Sequence, residues 1–188
     1  VRDGAGGAAT GSLSVKVKGE YQAGPSSRIE MPLTVAGGDP RDLQPYAASG
    51  WMGDTGKLKL TVDSRENPKV GEHCLKIEFT EPAGWGGIVW QSPAGDWGNQ
   101  PGGFDLTGAE KLSFWARGEK GGETAKFGIG IIEDDKTYYD TTREEITVTL
   151  TPEWKQYEVD LRGKNLVRIK SGFFVVAEAE GLPFEFFV

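Results

Sequence analysis

The sequence has very few of the residues that build metal centres, disulfides or nucleophilic sites. Cys74 is the only cysteine and His73 the only histidine, so no disulfide can form within the chain. One cysteine and one histidine also exclude a zinc site of the ordinary four-ligand kind. A Ser-His-Asp relay would depend on His73, and no Gly-x-Ser-x-Gly turn is present to carry the serine. Cys74 lies in the strand pattern H-C-L-K-I-E-F and is predicted to be a small buried hydrophobe.

Concentrated positive charge and long apolar runs are absent as well. The chain has 21 basic and 28 acidic residues, which gives a net charge of −7, and it has no basic block that would bind a phosphate backbone. No apolar run approaches the length needed to cross a bilayer. The sequence therefore argues against nucleic acid as a partner and predicts no transmembrane segment.

What the sequence has is short runs of alternating polar and apolar residues, separated by Gly/Pro-rich turns. In one run Leu75, Ile77 and Phe79 share a face, as expected of a half-buried strand. The same alternation occurs in Ser12–Lys18, Lys57–Val62, Gly87–Gln91, Lys111–Arg117, Lys126–Ile132, Glu145–Leu150, Lys155–Leu161, Gly172–Ala177 and Phe184–Val188. No long helical pattern competes with it. The prediction is an all-β fold, a two-sheet antiparallel jelly-roll sandwich of about ten strands with little helix.

Composition separates an N-terminal arm from the body of the chain. Gly4–Gly11 is a Gly/Ala-rich tail, and Gly19–Ser27 is rich in small and turn residues. Between them lies one amphipathic strand pattern over 12–18. We therefore predict an arm over 1–27 and a β-sandwich domain over 28–188.

Tryptophans are concentrated in one stretch. Four of the six lie between Gly84 and Gly118, interleaved with glycines and with Asp96, Asn99 and Gln100. Flat rings in such loops are typical of surfaces that stack on the C–H-rich faces of sugars, while amides and carboxylates bond the hydroxyls.

From about Tyr46 to Val188, the chain resembles a type of bacterial secreted carbohydrate-binding-like module, a galactose-binding-like jelly roll. The resemblance is carried by A-S-G-W-M-G, V-W-Q-S-P-A-G-D-W-G, D-L-T-G-A-E-K-L-S-F-W-A-R-G-E-K-G-G-E and E-W-K-Q-Y-E-V-D-L. It implies an extracellular or cell-surface, non-catalytic sandwich with a glycan-binding face and often a structural calcium ion. Two features depart from the type: the N-terminal arm, and the ending P-F-E-F-F-V without the Asp-Asp pair that helps to bind calcium.

The phase of each strand separates aromatic residues predicted to be in the core from those predicted to contact a ligand. Trp90 is in phase with Ile88 and is predicted to be core. Trp115 and Arg117 share the face of their strand opposite Phe114, where they either contact a sugar or form a second buried face. The predicted ligand-binding residues are Trp85, Trp97, Trp115, Arg117, Tyr139 and Asp140.

Acidic residues give no convincing catalytic pair. Glu133, Asp134 and Asp135 lie together in a hairpin tip, which is more typical of a solvated turn, although such oxygens also suit calcium. The sequence predicts a binding protein for a polysaccharide or glycan and no enzyme.

The arm supports a hypothesis of a different class. Leu13, Val15 and Val17 form one apolar face of a strand that fits an open sheet edge, either in its own sandwich or in the next subunit. Exchange between subunits that does not close into a ring would build a filament or surface layer. The alternative function is therefore a self-assembling extracellular subunit that binds copies of itself by donor-strand complementation.

Overall fold

The structure, a computed structural model, describes residues 27–33 and 45–188. Within these ranges the chain forms short strands and a single 3-10 helix, which confirms the all-β prediction. The helix is Thr55–Lys57, and the strands are β1 (Ser27–Arg28), β2 (Ala47–Gly53), β3 (Leu58–Ser64), β4 (Cys74–Phe79), β5 (Ala83–Gln91), β6 (Phe104–Asp105), β7 (Lys111–Gly118), β8 (Thr124–Ile129), β9 (Glu144–Thr149), β10 (Lys155–Asp160), β11 (Ser171–Glu180) and β12 (Phe184–Phe187).

Ten of these strands form two five-stranded antiparallel sheets, as predicted for a jelly-roll sandwich. Sheet I has the order β10-β7-β12-β4-β3, and sheet II has the order β2-β5-β11-β8-β9. The short strands β1 and β6 pair with each other in parallel. Because strands distant in sequence are neighbours in each sheet, the side chains that share a face come from all parts of the chain.

The core between the sheets is built from aromatic rings on alternate strand positions. The ring centroid of Phe114 in sheet I lies 4.6 Å from that of Phe127 and 5.6 Å from that of Phe173, both in sheet II. Trp90 is buried beside Phe173, which confirms its predicted core position. Full burial of such a side chain contributes about 1.5–3 kcal/mol. This packing fixes which side chains of each sheet face inward.

The predicted arm over 1–27 lies almost entirely outside the described residues. The strand Ser12–Lys18, with Leu13, Val15 and Val17, belongs to that part, and the domain boundary after residue 27 stays a prediction. No helix in the described part of the chain is both long and apolar enough to cross a membrane.

Candidate functional site

The outer face of sheet II brings together side chains that are far apart in sequence. Directly opposed residues of antiparallel strands share a face, and alternate residues return to it. One row across the sheet therefore contains Met52, Gly87, Val176, Lys126 and Thr147. We call this surface the sheet II face.

Trp85 forms one end of the sheet II face, opposite Glu178 of β11. It is 44% exposed, so its ring is open to a ligand. The ring packs against Gly53, where a Cβ would lie only 2.9 Å from its Cδ2 atom. Gly53 also has a φ of +69°, which favours glycine. An exposed indole held beside a carboxylate suits the stacking and hydroxyl bonding of one sugar ring.

The centre of the sheet II face is apolar and shallow because β5 contributes a glycine there. A Cβ on Gly87 would lie 2.7 Å from Met52 Cε and 3.0 Å from Val176 Cγ2. These two side chains therefore close over the glycine and form a smooth floor. Such a floor can carry the apolar side of a sugar chain.

At the other end of the sheet II face, four charged side chains form a network of ion pairs and hydrogen bonds. Lys126 lies 2.9 Å from Glu145, which also accepts hydrogen bonds from Arg143 Nε and Nη2 at 3.1 and 3.0 Å. Arg143 Nη1 donates to Glu133 at 2.9 Å. Partial burial alone would raise the pKa of Glu145, but the bonds from Lys126 and Arg143 outweigh it and lower the pKa. The carboxylate of Glu145 is therefore an ionised acceptor at neutral pH.

A polar pocket of about 400 Å³ adjoins this charged end, and Glu133 and Arg143 also line it. Tyr139 is on its wall, half-buried, with the Arg168 guanidinium carbon 4.8 Å from the ring centroid. Tyr139 therefore lies in the pocket beside the charged end, whereas Trp85 on β5 does not line that pocket.

Trp97 lies half-buried in the loop that follows β5. Asp96 beside it is 4% exposed and accepts hydrogen bonds from the amides of Gly98 and Asn99 at 3.1 and 3.0 Å. The same carboxylate pairs with the fully buried Lys170 ammonium, which also donates to the carbonyl of Gln100. An internal cation therefore holds the Trp97 loop against the start of β11.

Asp140 is buried and also lines the polar pocket, and its role as a ligand contact stays a prediction. Its carboxylate is buried and accepts hydrogen bonds from the amides of Ile132, Lys170 and Ser171 and from the Ser171 hydroxyl. Burial raises the pKa of Asp140 above its ordinary value, against the opposing effect of these bonds. Both oxygens of this carboxylate are therefore occupied by internal donors.

Trp115 and Arg117 are on the opposite side of the molecule, on the outer face of sheet I. Trp115 is half-buried, with Lys69 Nζ 4.3 Å from its ring centroid. Arg117 is only 8% exposed, stacks 3.7 Å from the Phe187 centroid and donates to the carbonyl of Glu66 at 2.8 Å. Arg117 therefore matches the alternative of a second buried face, while its role as a ligand contact stays a prediction. Both residues lie on the sheet opposite the one that contains Trp85.

The described residues offer no cluster of acidic side chains to a calcium ion. They contain no group of three or more His, Cys, Asp or Glu side chains placed to hold a metal. Asp96 is already paired with Lys170, while Glu133 pairs with Arg143 and Asp135 with Lys136. Structural calcium stays a prediction from the resemblance.

Sequence reasoning missed Glu178, Arg143, Glu145, Lys126 and Met52. Alternation in F-F-V-V-A-E-A-E indicates that Val176 and Glu178 share a face, but only the register of β11 with β5 places Glu178 opposite Trp85. No local signal in the sequence contains that register.

Solved structures with a similar fold are carbohydrate-binding modules. The chain is similar to the family 30 module of a cellulosomal cellulase of Clostridium thermocellum, with 18% identity and a TM-score of 0.53 over 76% of this chain and 88% of that one. A module from a study of promiscuous specificity in the β-sandwich superfamily gives 12% identity and a TM-score of 0.52 over 82% of this chain and 61% of that one. No protein-family model and no curated protein matches the sequence. These likenesses confirm that the chain has the β-sandwich fold of carbohydrate-binding modules.

Proposed function

We propose that this protein is a non-catalytic, extracellular glycan-binding module and that the sheet II face is its binding surface. The observation that carries the proposal is the exposed Trp85 ring beside Glu178, at the end of an apolar floor. Rows on this face repeat every two residues along β5, so Trp85 and the row of Gly87 are separated by about 7 Å. The next row contains Val89 and Phe174, which are fully buried, so Trp85 and the floor beside it are the open part of the face along β5.

The sheet II face offers apolar side chains for the C–H faces of a sugar chain and polar side chains for its hydroxyls. Trp85, Met52 and Val176 offer apolar area to the C–H faces of the rings. Glu178 and the Lys126–Glu145–Arg143 charges offer acceptors and donors to the hydroxyls. The fold resembles solved carbohydrate-binding modules, and this likeness supports the class of function without naming the sugar.

Replacing Trp85 by alanine is expected to weaken glycan binding by about 10- to 100-fold, since truncating an aromatic hot spot removes roughly 2 kcal/mol or more. The measurement is affinity electrophoresis against soluble β-glucans, galactans, xylans and mannans, followed by calorimetry on the polysaccharide that retards the wild type.

The matched control is Trp115→Ala, which removes the same side chain from the opposite sheet. We expect its affinity to stay within about twofold of the wild type, because a side chain outside the interface loses no contact with the ligand. Loss of binding in Trp115→Ala with none in Trp85→Ala would move the site to sheet I. A wild type that binds no polysaccharide in the panel would contradict the function itself.

We also propose a second candidate function, self-assembly through the N-terminal arm. The pattern that supports it is the apolar face of Leu13, Val15 and Val17, which suits a strand added to a sheet edge. Open edges are pairing sites for another strand. Sedimentation of the intact chain is expected to show polymers that a variant lacking Val1–Gln22 does not form, and a monodisperse intact chain at high concentration would contradict the assembly.

A further inference from the structure

The polar pocket of about 400 Å³ lies where β8 ends, next to the sheet II face. Most of its wall comes from the loop over 130–143, and Asn165, in the segment before β11, also lines it. Glu133 and Arg143 belong both to this wall and to the charged end of the sheet II face, whereas Trp85 does not line the pocket. The pocket is therefore a second concavity beside the proposed binding surface.

Internal hydrogen bonds hold the walls of this pocket in place. The Asp140 amide donates to the carbonyl of Ile132, and the Ile132 amide donates to the Asp140 carboxylate, both at 2.9 Å. The Thr141 hydroxyl donates to the carbonyl of Asn165 at 2.8 Å and so ties the loop to the segment before β11. Because these bonds lie within the protein, the pocket is pre-organised, and a ligand that enters it orders few side chains.

Tyr139 supplies the aromatic part of the wall, and Arg168 fixes its position. Arg168 Nε donates to the carbonyl of Tyr139 at 2.8 Å, and the guanidinium carbon lies 4.8 Å from the ring centroid. Arg168 is buried and does not line the pocket, so the part of the ring that faces the pocket is not the part that Arg168 covers. An aromatic surface in this position suits the C–H side of a sugar ring.

Three other lining residues keep hydrogen-bonding groups for a ligand. Within the described part of the chain, the Asp134 carboxylate and the Thr142 hydroxyl bond to no other residue. Asn165 accepts from the Val167 amide through its Oδ1 atom, but its amide nitrogen donates to no described residue. An acceptor, a hydroxyl and a donor around one small cavity match the hydroxyl groups of a sugar ring.

The charge of the pocket argues against an anionic ligand. Among the described residues that line it, Arg143 is the only cation, and it is already shared between Glu133 and Glu145. The Asp134 carboxylate has no such partner. A phosphate, a sulfate or the carboxylate of an acidic sugar would therefore meet like charge without a free cation to offset it.

Building on glycan binding as the proposed function, we propose that this pocket is a second sugar site, which takes a single neutral ring as found at the end of a glycan chain. Its volume is near the lower end of the roughly 300–1,000 Å³ typical of small-molecule pockets, which suits one ring better than a chain. Tyr139 stacks on the ring, Asp134 accepts from its hydroxyls and the Asn165 amide donates to them.

The test is a titration of the full-length, ¹⁵N-labelled chain with the methyl glycosides of glucose, galactose, mannose and xylose, followed by ¹H–¹⁵N spectra. At least one glycoside is expected to bind with a dissociation constant on the order of 1 mM, as a ligand of this size allows. It is expected to shift the side-chain amide signals of Asn165 and to leave the indole N–H signal of Trp85 in place. The spectra of Asn165→Ala and Trp85→Ala identify these signals.

Substitutions in the pocket are expected to weaken this binding. Asp134→Ala and Asn165→Ala each remove one hydrogen bond to the ring, which lowers the affinity by about 3- to 10-fold. Tyr139→Ala removes the stacking surface and is expected to lower it by about tenfold or more. Well-dispersed spectra of the three variants show that the sandwich still folds.

The matched control is Asp135→Ala, which removes the neighbouring carboxylate. Asp135 is exposed, pairs with Lys136 and does not line the pocket. Its glycoside affinity is expected to stay within about twofold of the wild type, because a side chain outside the pocket loses no contact with the ligand. Equal affinities of the Asp134→Ala and Asp135→Ala chains would overturn the role of Asp134.

Several results would overturn the pocket as a sugar site. These are the absence of shifts with every methyl glycoside, shifts confined to the Trp85 indole, and an unchanged affinity in Tyr139→Ala. Tighter binding of a methyl glucuronide or a methyl glucosaminide than of every neutral glycoside would overturn the neutral ring, because charge would then select the ligand.

The two sugar sites fail separately. Loss of the pocket leaves the binding of polysaccharides through Trp85 standing, since the polysaccharide panel measures that surface. A wild type that binds methyl glycosides at Asn165 but no polysaccharide would instead contradict the sheet II face and leave the pocket as the sugar site.

Discussion

Replacing Asp140 by alanine is expected to destabilise the fold by roughly 3 kcal/mol or more. The carboxylate accepts bonds from the buried amides of Ile132, Lys170 and Ser171, and each group left without a partner costs about 1–3 kcal/mol. Water entering the vacated space would offset part of this loss. Urea unfolding of the wild type and the variant, followed by tryptophan fluorescence, measures the difference.

Asp135→Ala is the matched control, since it removes an exposed carboxylate from the same loop. We expect a change within about 0.5 kcal/mol for such a surface substitution. Equal stability of the Asp140→Ala and Asp135→Ala chains would show that the hydrogen bonds of Asp140 do not hold the loop. Loss of glycan affinity in a folded Asp140→Ala chain would instead reflect displacement of the neighbouring Tyr139 and Arg143.

The sequence is sufficient for the fold because sandwich strands carry a local signature. Leu75, Ile77 and Phe79 alternate with the half-buried Lys76 and Glu78, and the structure buries all three at the predicted phase. Phe114 follows the same rule in the other half of sheet I, between Ser113 and Trp115. Alternation is a property of neighbouring residues, so it is readable without knowing which strands pair.

The site was only partly predictable because it depends on pairing between distant strands and on loops that cover outer faces. Trp85 was found from its Gly-rich surroundings, but its partner Glu178 follows from the register of β5 with β11. Alternation places Arg117 on the outer face of its strand, but it does not predict the loop that covers this face, where the carbonyl of Glu66 accepts a hydrogen bond from Arg117. Alternation distinguishes two faces and does not say which one is covered.

The buried pair of Lys170 and Asp96 is the clearest case of chemistry that no local pattern reveals. Lysine at the start of a strand usually indicates a solvated end. Here the Lys170 ammonium enters the interior between Asp96 and the carbonyl of Gln100, with the Tyr138 ring centroid 5.7 Å away. The pair ties the loop after β5 to β11 and so supports the sheet in which Trp85 lies.

Replacing Asp96 by asparagine is expected to destabilise the protein by about 3–5 kcal/mol, because removal of one partner leaves the Lys170 charge buried and uncompensated. The control is Asp160→Asn, whose partner Arg162 is exposed, and we expect no measurable change there. The double variant Asp96→Asn with Lys170→Met removes the stranded charge. It is therefore expected to regain much of the lost stability. A steric defect at Asp96 would persist in the double variant, so stability would not recover.

The same pair predicts how stability depends on pH. Burial alone would raise the pKa of Asp96, but Lys170 and the amides of Asn99 and Gly98 outweigh it, so the folded-state pKa lies below the ordinary 3.8. A carboxyl with a lowered folded-state pKa stabilises the fold above its unfolded pKa, and this contribution is lost as the pH falls through the folded value. The gap in unfolding free energy between wild type and Asp96→Asn is therefore expected to be constant near neutral pH and to shrink below about pH 4. A gap that stays constant down to about pH 2 would show that the carboxylate charge is not what stabilises the loop.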